Sequence, residues 1–230
     1  MIRFVLLLSV ISLLAGCSKE TADYKKYFSP TAQDGRTRYQ VFSEQTITNG
    51  EKYYTQALRR SEKLNDSTLL FVEFTCYEDT CFAADSTIMV MREDGVYMKE
   101  SYVGSAKGWT ALSNLSTSVS VPWEWEKDRE VTYRWDIKQA DAPMFSIRSK
   151  RKFTGFEKVS VEGKGKMNAA VRQEEQTRMR GNRKEKVEVT MWDVPNFGLY
   201  RYESKSKDRE YLMVFRKELN QKEYNEMLGR

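Results

Sequence analysis

Histidine is absent from this 230-residue chain. Its absence removes the Ser-His-Asp and Cys-His nucleophile arrangements, His-ligated zinc, and the commonest general base at neutral pH. A P-loop, a Gly-x-Gly-x-x-Gly dinucleotide turn, a Gly-x-Ser-x-Gly nucleophile elbow and an Asp-rich calcium loop are missing too. Serine and lysine are plentiful, yet no Ser-x-x-Lys stands at an evident helix start. The expectation is a protein with no catalytic role, no cofactor and no metal. Past residue 17, no apolar run approaches the roughly eighteen residues that a membrane-crossing helix needs. Charge of one sign is also lacking, because the net charge of +5 comes from 38 basic and 33 acidic residues spread among one another. Such mixing marks a solvated surface and not a nucleic-acid footprint. A mild attraction to anionic lipid headgroups suits it better.

What is present begins at the N-terminus. Arg3 supplies a positive start, residues 4–14 form an apolar run, and Leu14-Ala15-Gly16-Cys17 closes it. This run is too short to span a hydrocarbon core of about 30 Å as a helix, so it reads as a cleaved export signal. The four closing residues resemble the lipobox of bacterial lipoproteins. That resemblance implies cleavage before Cys17, a diacylglycerol on its thiol and a fatty acyl group such as palmitate on its amine. Each buried methylene contributes roughly 0.8 kcal/mol, so two or more chains hold stably where one is marginal. Ser18 stands where Asp would favour inner-membrane retention in enterobacterial lipoproteins, which points to the outer membrane and a domain facing the periplasm. The organisation expected is a signal peptide over 1–16, a lipidated N-terminus and flexible stalk over 17–35, and one β domain over 36–230.

Thirteen Tyr, eleven Phe and five Trp favour strands over helices. Asn49-Gly50 is a hairpin signal, because a type I′ turn needs positive φ at both central residues. Residues 130–138 alternate cleanly, with Val131, Tyr133, Trp135 and Ile137 on one face and Thr132, Arg134, Asp136 and Lys138 on the other. Gly181-Asn182 and Asn196-Phe197-Gly198 mark further turns, and residues 104–118 read as a long loop. Asn220 is placed to cap a short C-terminal helix. The sum is a mainly β chain of roughly ten strands in a large curved antiparallel sheet, a barrel or half-barrel. The stretch 155–202 resembles uncharacterised periplasmic β-sheet lipoproteins: a valine-rich strand ends at a Gly turn, and a Trp strand closes in Gly198-Leu199-Tyr200. That resemblance implies fold and not activity.

Cys76 and Cys81 flank Glu78-Asp79 and follow the strand-like run 69–74. In an exported chain the pair reads as a disulfide clipping a hairpin, since the spacing is not Cys-x-x-Cys and no βαβ pattern surrounds it. Glu124 and Glu126 could form a carboxylate pair, but Trp123 and Trp125, which alternate with them, read as core-facing, with both Glu in water. Lys150-Arg151-Lys152 reads as a solvated face. Trp125, Tyr133, Trp135 and Trp192 are the candidates to line a cavity, or simply to fill a core. Two functions follow. One is an envelope module docking on another protein. The other is a carrier of a lipid or hydrophobic ligand, resembling the half-barrel receptors that carry lipoproteins to the outer membrane.

Overall fold

A computed structural model describes residues 20–78, 80–105, 108–112, 118–137 and 145–229. The signal segment 1–16 and Cys17 lie outside the described residues. The strands are β1 (Thr21–Asp23), β2 (Arg38–Thr48), β3 (Glu51–Asn65), β4 (Thr68–Tyr77), β5 (Thr80–Met91), β6 (Gly95–Ser105), β7 (Gly108–Leu112) and β8 (Val121–Pro122). They continue as β9 (Glu124–Glu126), β10 (Glu130–Ile137), β11 (Phe145–Val161), β12 (Gly165–Arg180), β13 (Arg183–Val194), β14 (Gly198–Lys205) and β15 (Arg209–Leu219). Two short helices, α1 (Pro30–Asp34) and α2 (Gln221–Met227), complete the described elements. No described helix is long and apolar enough to cross a membrane.

Thirteen strands form one antiparallel sheet in the order β10-β11-β12-β13-β14-β15-β2-β3-β4-β5-β6-β7, with β8 added on β6. The sheet stays open, ending at β10 and β7, so it is a half-barrel with more strands than the ten expected. Part of the difference lies in 104–118, where β6 runs on to Ser105 and pairs with β7. Successive strands are joined by tight turns, as the punctuation implied. Asn49 and Gly50 carry φ of 52° and 84°, and Thr48 pairs with Glu51 across them. The long step is between chain ends: β15 pairs with β2 from Arg209↔Thr48 to Leu219↔Tyr39, joining the two halves of the sheet.

Residues 21–35 differ from a flexible stalk. Strand β1 pairs with β9, and Tyr24 is buried against Trp125 and Phe153, at ring distances of 5.3 Å and 6.2 Å. Phe28 meets Trp123 and Phe71, and Thr31 shares a 2.8 Å hydrogen bond with Ser61. Pro30 starts α1 and Gly35 ends it in the left-handed region. This segment is a strap across one end of the half-barrel. Its polar composition concealed the alternation of a few large rings that anchor it. Gly198 permits the crossing: its φ is 82°, and a Cβ there would sit 3.1 Å from the Phe28 carbonyl oxygen. Residues 118–130 bridge the two sheet edges at the same end. Here β8 pairs with β6, while Lys127 bridges to Phe153 on β11.

On the convex side, Asn220 caps α2 and Glu223 completes a capping box. Tyr224 packs on Tyr39 at 4.7 Å, within a cluster holding Val41, Leu58, Leu219 and Cys76. Cys76 and Cys81 are disulfide-bonded directly across β4 and β5, and Cys81 Sγ lies 3.3 Å from the Met227 carbonyl oxygen. The bridge therefore clips a hairpin and also forms part of the seat of α2. Replacing both cysteines by alanine is expected to lower unfolding stability by about 2 kcal/mol, the chain-entropy value for so short a loop. Denaturant unfolding of the oxidised protein and the variant measures this, and the amides of α2 should exchange faster in the variant.

Candidate functional site

Period-two alternation on neighbouring strands brings one row of charged side chains onto the concave face. Arg59 on β3 stands directly across from Glu73 on β4, and Glu73 directly across from Asp85 on β5. Glu44 on β2 lies beside them, opposite Thr55. From the other half of the sheet, Arg178, Val187, Met191, Tyr202 and Tyr211 face the same space, a cavity of about 600 Å³. A recess of about 220 Å³ continues it beneath the strap, sharing Arg59, Glu73, Asp85, Met89 and Leu199. The two form one trough along the half-barrel. Gln40, Arg172 and Asp193 lie at the strap end, and Glu185, Ser206 and Arg209 at the open end.

The charges are held in pairs. Arg59 donates to Glu73 Oε2 from Nε at 2.9 Å and from Nη2 at 2.5 Å, and its guanidinium lies 4.8 Å from the Phe42 ring centre. Burial alone would depress the Arg59 guanidinium, but the Glu73 carboxylate holds it above its usual range. Glu44 accepts from Thr55 Oγ1 at 2.8 Å and from the Tyr211 hydroxyl. Burial and the neighbouring Glu44 carboxylate push Tyr211 well above an ordinary phenol. Asp85 is different, since it lines the trough with its side chain exposed and has no hydrogen-bonding partner among the described bonds. Protein around the carboxyl and then the Glu73 carboxylate raise it to about 6.

Two further networks stiffen the opposite wing. Arg172 grips Asp193 through Nε–Oδ2 at 2.6 Å and Nη2–Oδ1 at 3.1 Å, both side chains buried. Glu174, 2% exposed, accepts from Tyr133 at 2.6 Å, Arg151 at 2.5 Å, Gln176 at 2.8 Å and Ser149. Burial would raise the Glu174 carboxyl, but Arg151 and these donors hold it below the usual range.

Of the four residues expected to line a cavity or fill a core, the three with described side chains lie in three separate places. Trp125 is fully buried under the strap and donates to the Arg129 carbonyl at 2.8 Å. Trp192 sits in another cluster with Phe42, Val171 and Phe215, donating to Glu157 at 2.8 Å beneath the Arg201 guanidinium. Tyr133 belongs to the Glu174 network. Trp135 pairs with Ile147 through its backbone, and its side chain lies outside the described residues. Trp123 and Trp125 are buried and Glu124 and Glu126 exposed, as the alternation implied. Arg151 departs from the solvated face read for 150–152: it points inward to Glu174 while Lys150 and Lys152 are exposed. The trough charges themselves escaped notice. A carboxylate inside the apolar run Phe71-Val72-Glu73-Phe74 was the available signal, because a lone inward charge needs a partner.

No protein-family model matches this chain, and no curated protein matches it. In three dimensions it is similar to a candidate lipoprotein from Parabacteroides distasonis, with a TM-score of 0.52 and 12% identity over 84% of this chain and 99% of that one. It also aligns with a candidate exported protein with a YmcC-like fold from Bacteroides fragilis, with a TM-score of 0.45 and 14% identity over 85% of this chain and all of that one. The first likeness establishes a shared fold.

Replacing Arg172 by Met strands the buried Asp193 and is expected to cost about 3–5 kcal/mol, whereas adding Asp193→Leu should restore most of it. Urea titration of the two variants measures both. Asp85, raised above its unfolded value near 3.9, opposes folding increasingly as pH climbs from about 4 through 6. Asp85→Asn should therefore be the more stable protein at pH 7.5, by no more than about 1 kcal/mol given the solvent beside it, and match the parent below pH 4. Thermal melts across pH provide the comparison.

Proposed function

We propose that this chain is a lipid-anchored protein of the bacterial envelope that works without catalysis, as a module docking on another envelope protein. One observation carries the reading. Among the described residues the large exposed hydrophobic side chains are Tyr53, Tyr54, Leu64, Tyr77, Phe82 and Phe156. Four of these six stand at the open end of the half-barrel, where β3 starts, β4 ends and β5 starts. Phe82, 60% exposed, lies directly across from Thr75, which lines the trough. Aromatic side chains left in water around a concavity are the composition of a protein-binding hot spot. The trough lining is mixed, with Arg59, Glu73, Asp85, Arg178 and Arg209 beside Met89, Val187, Met191, Leu199 and Met213, so a wholly apolar cargo would strip water from the charges and get no hydrogen bonds in return. The lipobox-like Leu14-Ala15-Gly16-Cys17 and the shared fold with a candidate lipoprotein support the anchor. Outer-membrane residence is part of the proposal and rests on Ser18.

The test uses full-length protein recovered from bacterial membranes. Mass spectrometry should find a diacylglycerol on Cys17 that is lost, with membrane association, in Cys17→Ala. A photo-crosslinking residue at Phe82 should give a discrete adduct that one at Arg129 does not. Tyr77→Ala is expected to weaken its capture about tenfold. An unacylated protein overturns the anchor, and absence of any rim-dependent adduct overturns the docking role.

A further inference from the structure

We propose that the strap end of the half-barrel is the face held against the bilayer, and that the aromatic rim and trough mouth are carried on the membrane-distal end. This rests on the lipid-anchor reading of Cys17 and adds an orientation to it. The ordinary arrangement of such an anchor is a flexible stalk between lipid and domain, which lets the domain tumble. Here the described chain is packed from Glu20 onward. Thr21 is already hydrogen-bonded into β1–β9, and the preceding residue, Glu20, is tied down twice: its carbonyl accepts from the Lys127 amide at 2.7 Å, and its carboxylate meets Lys127 Nζ at 2.9 Å. Four residue steps separate Cys17 from Thr21, a reach of about 14 Å even when fully extended. An acylated Cys17 therefore holds the β1–β9 edge within one headgroup layer or so of the hydrocarbon surface.

The exit point lies on the strap side of the trough and not at its open end. Glu20 and Lys127 sit beside Gly155, level with the strap and with the Arg172–Asp193 pair. From Asp193 to Glu185, at the other end of the trough, β13 runs eight residues, about 26 Å at strand rise. The turns at 181–182 and 206–208 and the aromatics Tyr53, Tyr77 and Phe82 belong to that far end. A bilayer excludes half of space, so a body tethered beside the strap turns the trough mouth, on the opposite side, outward in most of the orientations left to it. The partner expected at the mouth is therefore a protein reaching in from the aqueous side, and not a lipid drawn from the anchoring membrane.

Depth-dependent fluorescence quenching tests this on the acylated full-length protein in phospholipid vesicles containing a headgroup nitroxide lipid. Single thiols placed by Arg129→Cys and Lys207→Cys, both exposed positions, carry the fluorophore while the native disulfide stays oxidised. The label at 129 should be quenched several-fold more than the label at 207, and a Gly-Ser insertion after Ser18 should erase most of that difference. Mass spectra of the same samples report acylation independently. Equal or reversed quenching on acylated protein overturns the orientation and leaves the anchor standing. An unacylated Cys17 overturns both.

Discussion

The pairing of β15 with β2 is the constraint on which the remainder depends. It joins residues about 170 positions apart, Phe42 facing Phe215 and Thr48 facing Arg209. Without it, β2–β7 and β10–β15 would be two meanders, each with an additional open edge and no common interior. With it they become one twisted surface. A twisted antiparallel sheet of this width curls rather than lies flat, so the two wings turn toward each other and enclose the trough. Fixing so distant a contact costs chain entropy, and the interlocked rings of Phe42, Phe197 and Phe215 offset part of it.

Curling leaves an awkward interior, too wide to be filled by side chains from one row and too narrow to be left dry. Different solutions operate at the two ends. At one, the strap fills the space with Tyr24, Phe28, Trp123, Trp125 and Phe153, an apolar plug that also bridges the sheet edges. Charges occupy the remainder in matched pairs: Arg59 with Glu73 along the trough, Arg172 with Asp193 beside the strap, and Arg151 with Glu174 in the opposite wing. Such pairs contribute little net stability, because desolvation cancels most of the attraction, but losing one partner is severe. They keep the trough wet and rigid. The same division between a plugged end and an open one separates the strap, where the N-terminal segment joins the sheet, from the exposed aromatics Tyr53, Tyr77 and Phe82.

Much of the fold was legible locally. Asn49-Gly50 announced its turn and Asn220 its cap, because each is a property of a few neighbouring residues. The site was not legible in the same way. Trp125 and Trp192 are as large and aromatic as cavity-lining residues, yet each ends in a separate filled cluster. Arg151 looks like its neighbours Lys150 and Lys152, and only Glu174 on the adjoining strand distinguishes it. Residues 21–35 carry too few apolar positions for any period to emerge, so their docking could not be read from pattern.

Periodicity, turn residues and composition determined by themselves that this would be an antiparallel β chain with a hairpin disulfide, since backbone geometry and side-chain alternation are local matters. Which strands became neighbours across the chain, which charges found partners, and where the N-terminal segment came to rest were settled by packing. The strand pairing and the docking of the N-terminal segment depend on contacts between residues more than a hundred positions apart, and the charge pairs on which strands lie side by side; no local pattern encodes either. The trough exists because such contacts closed around it.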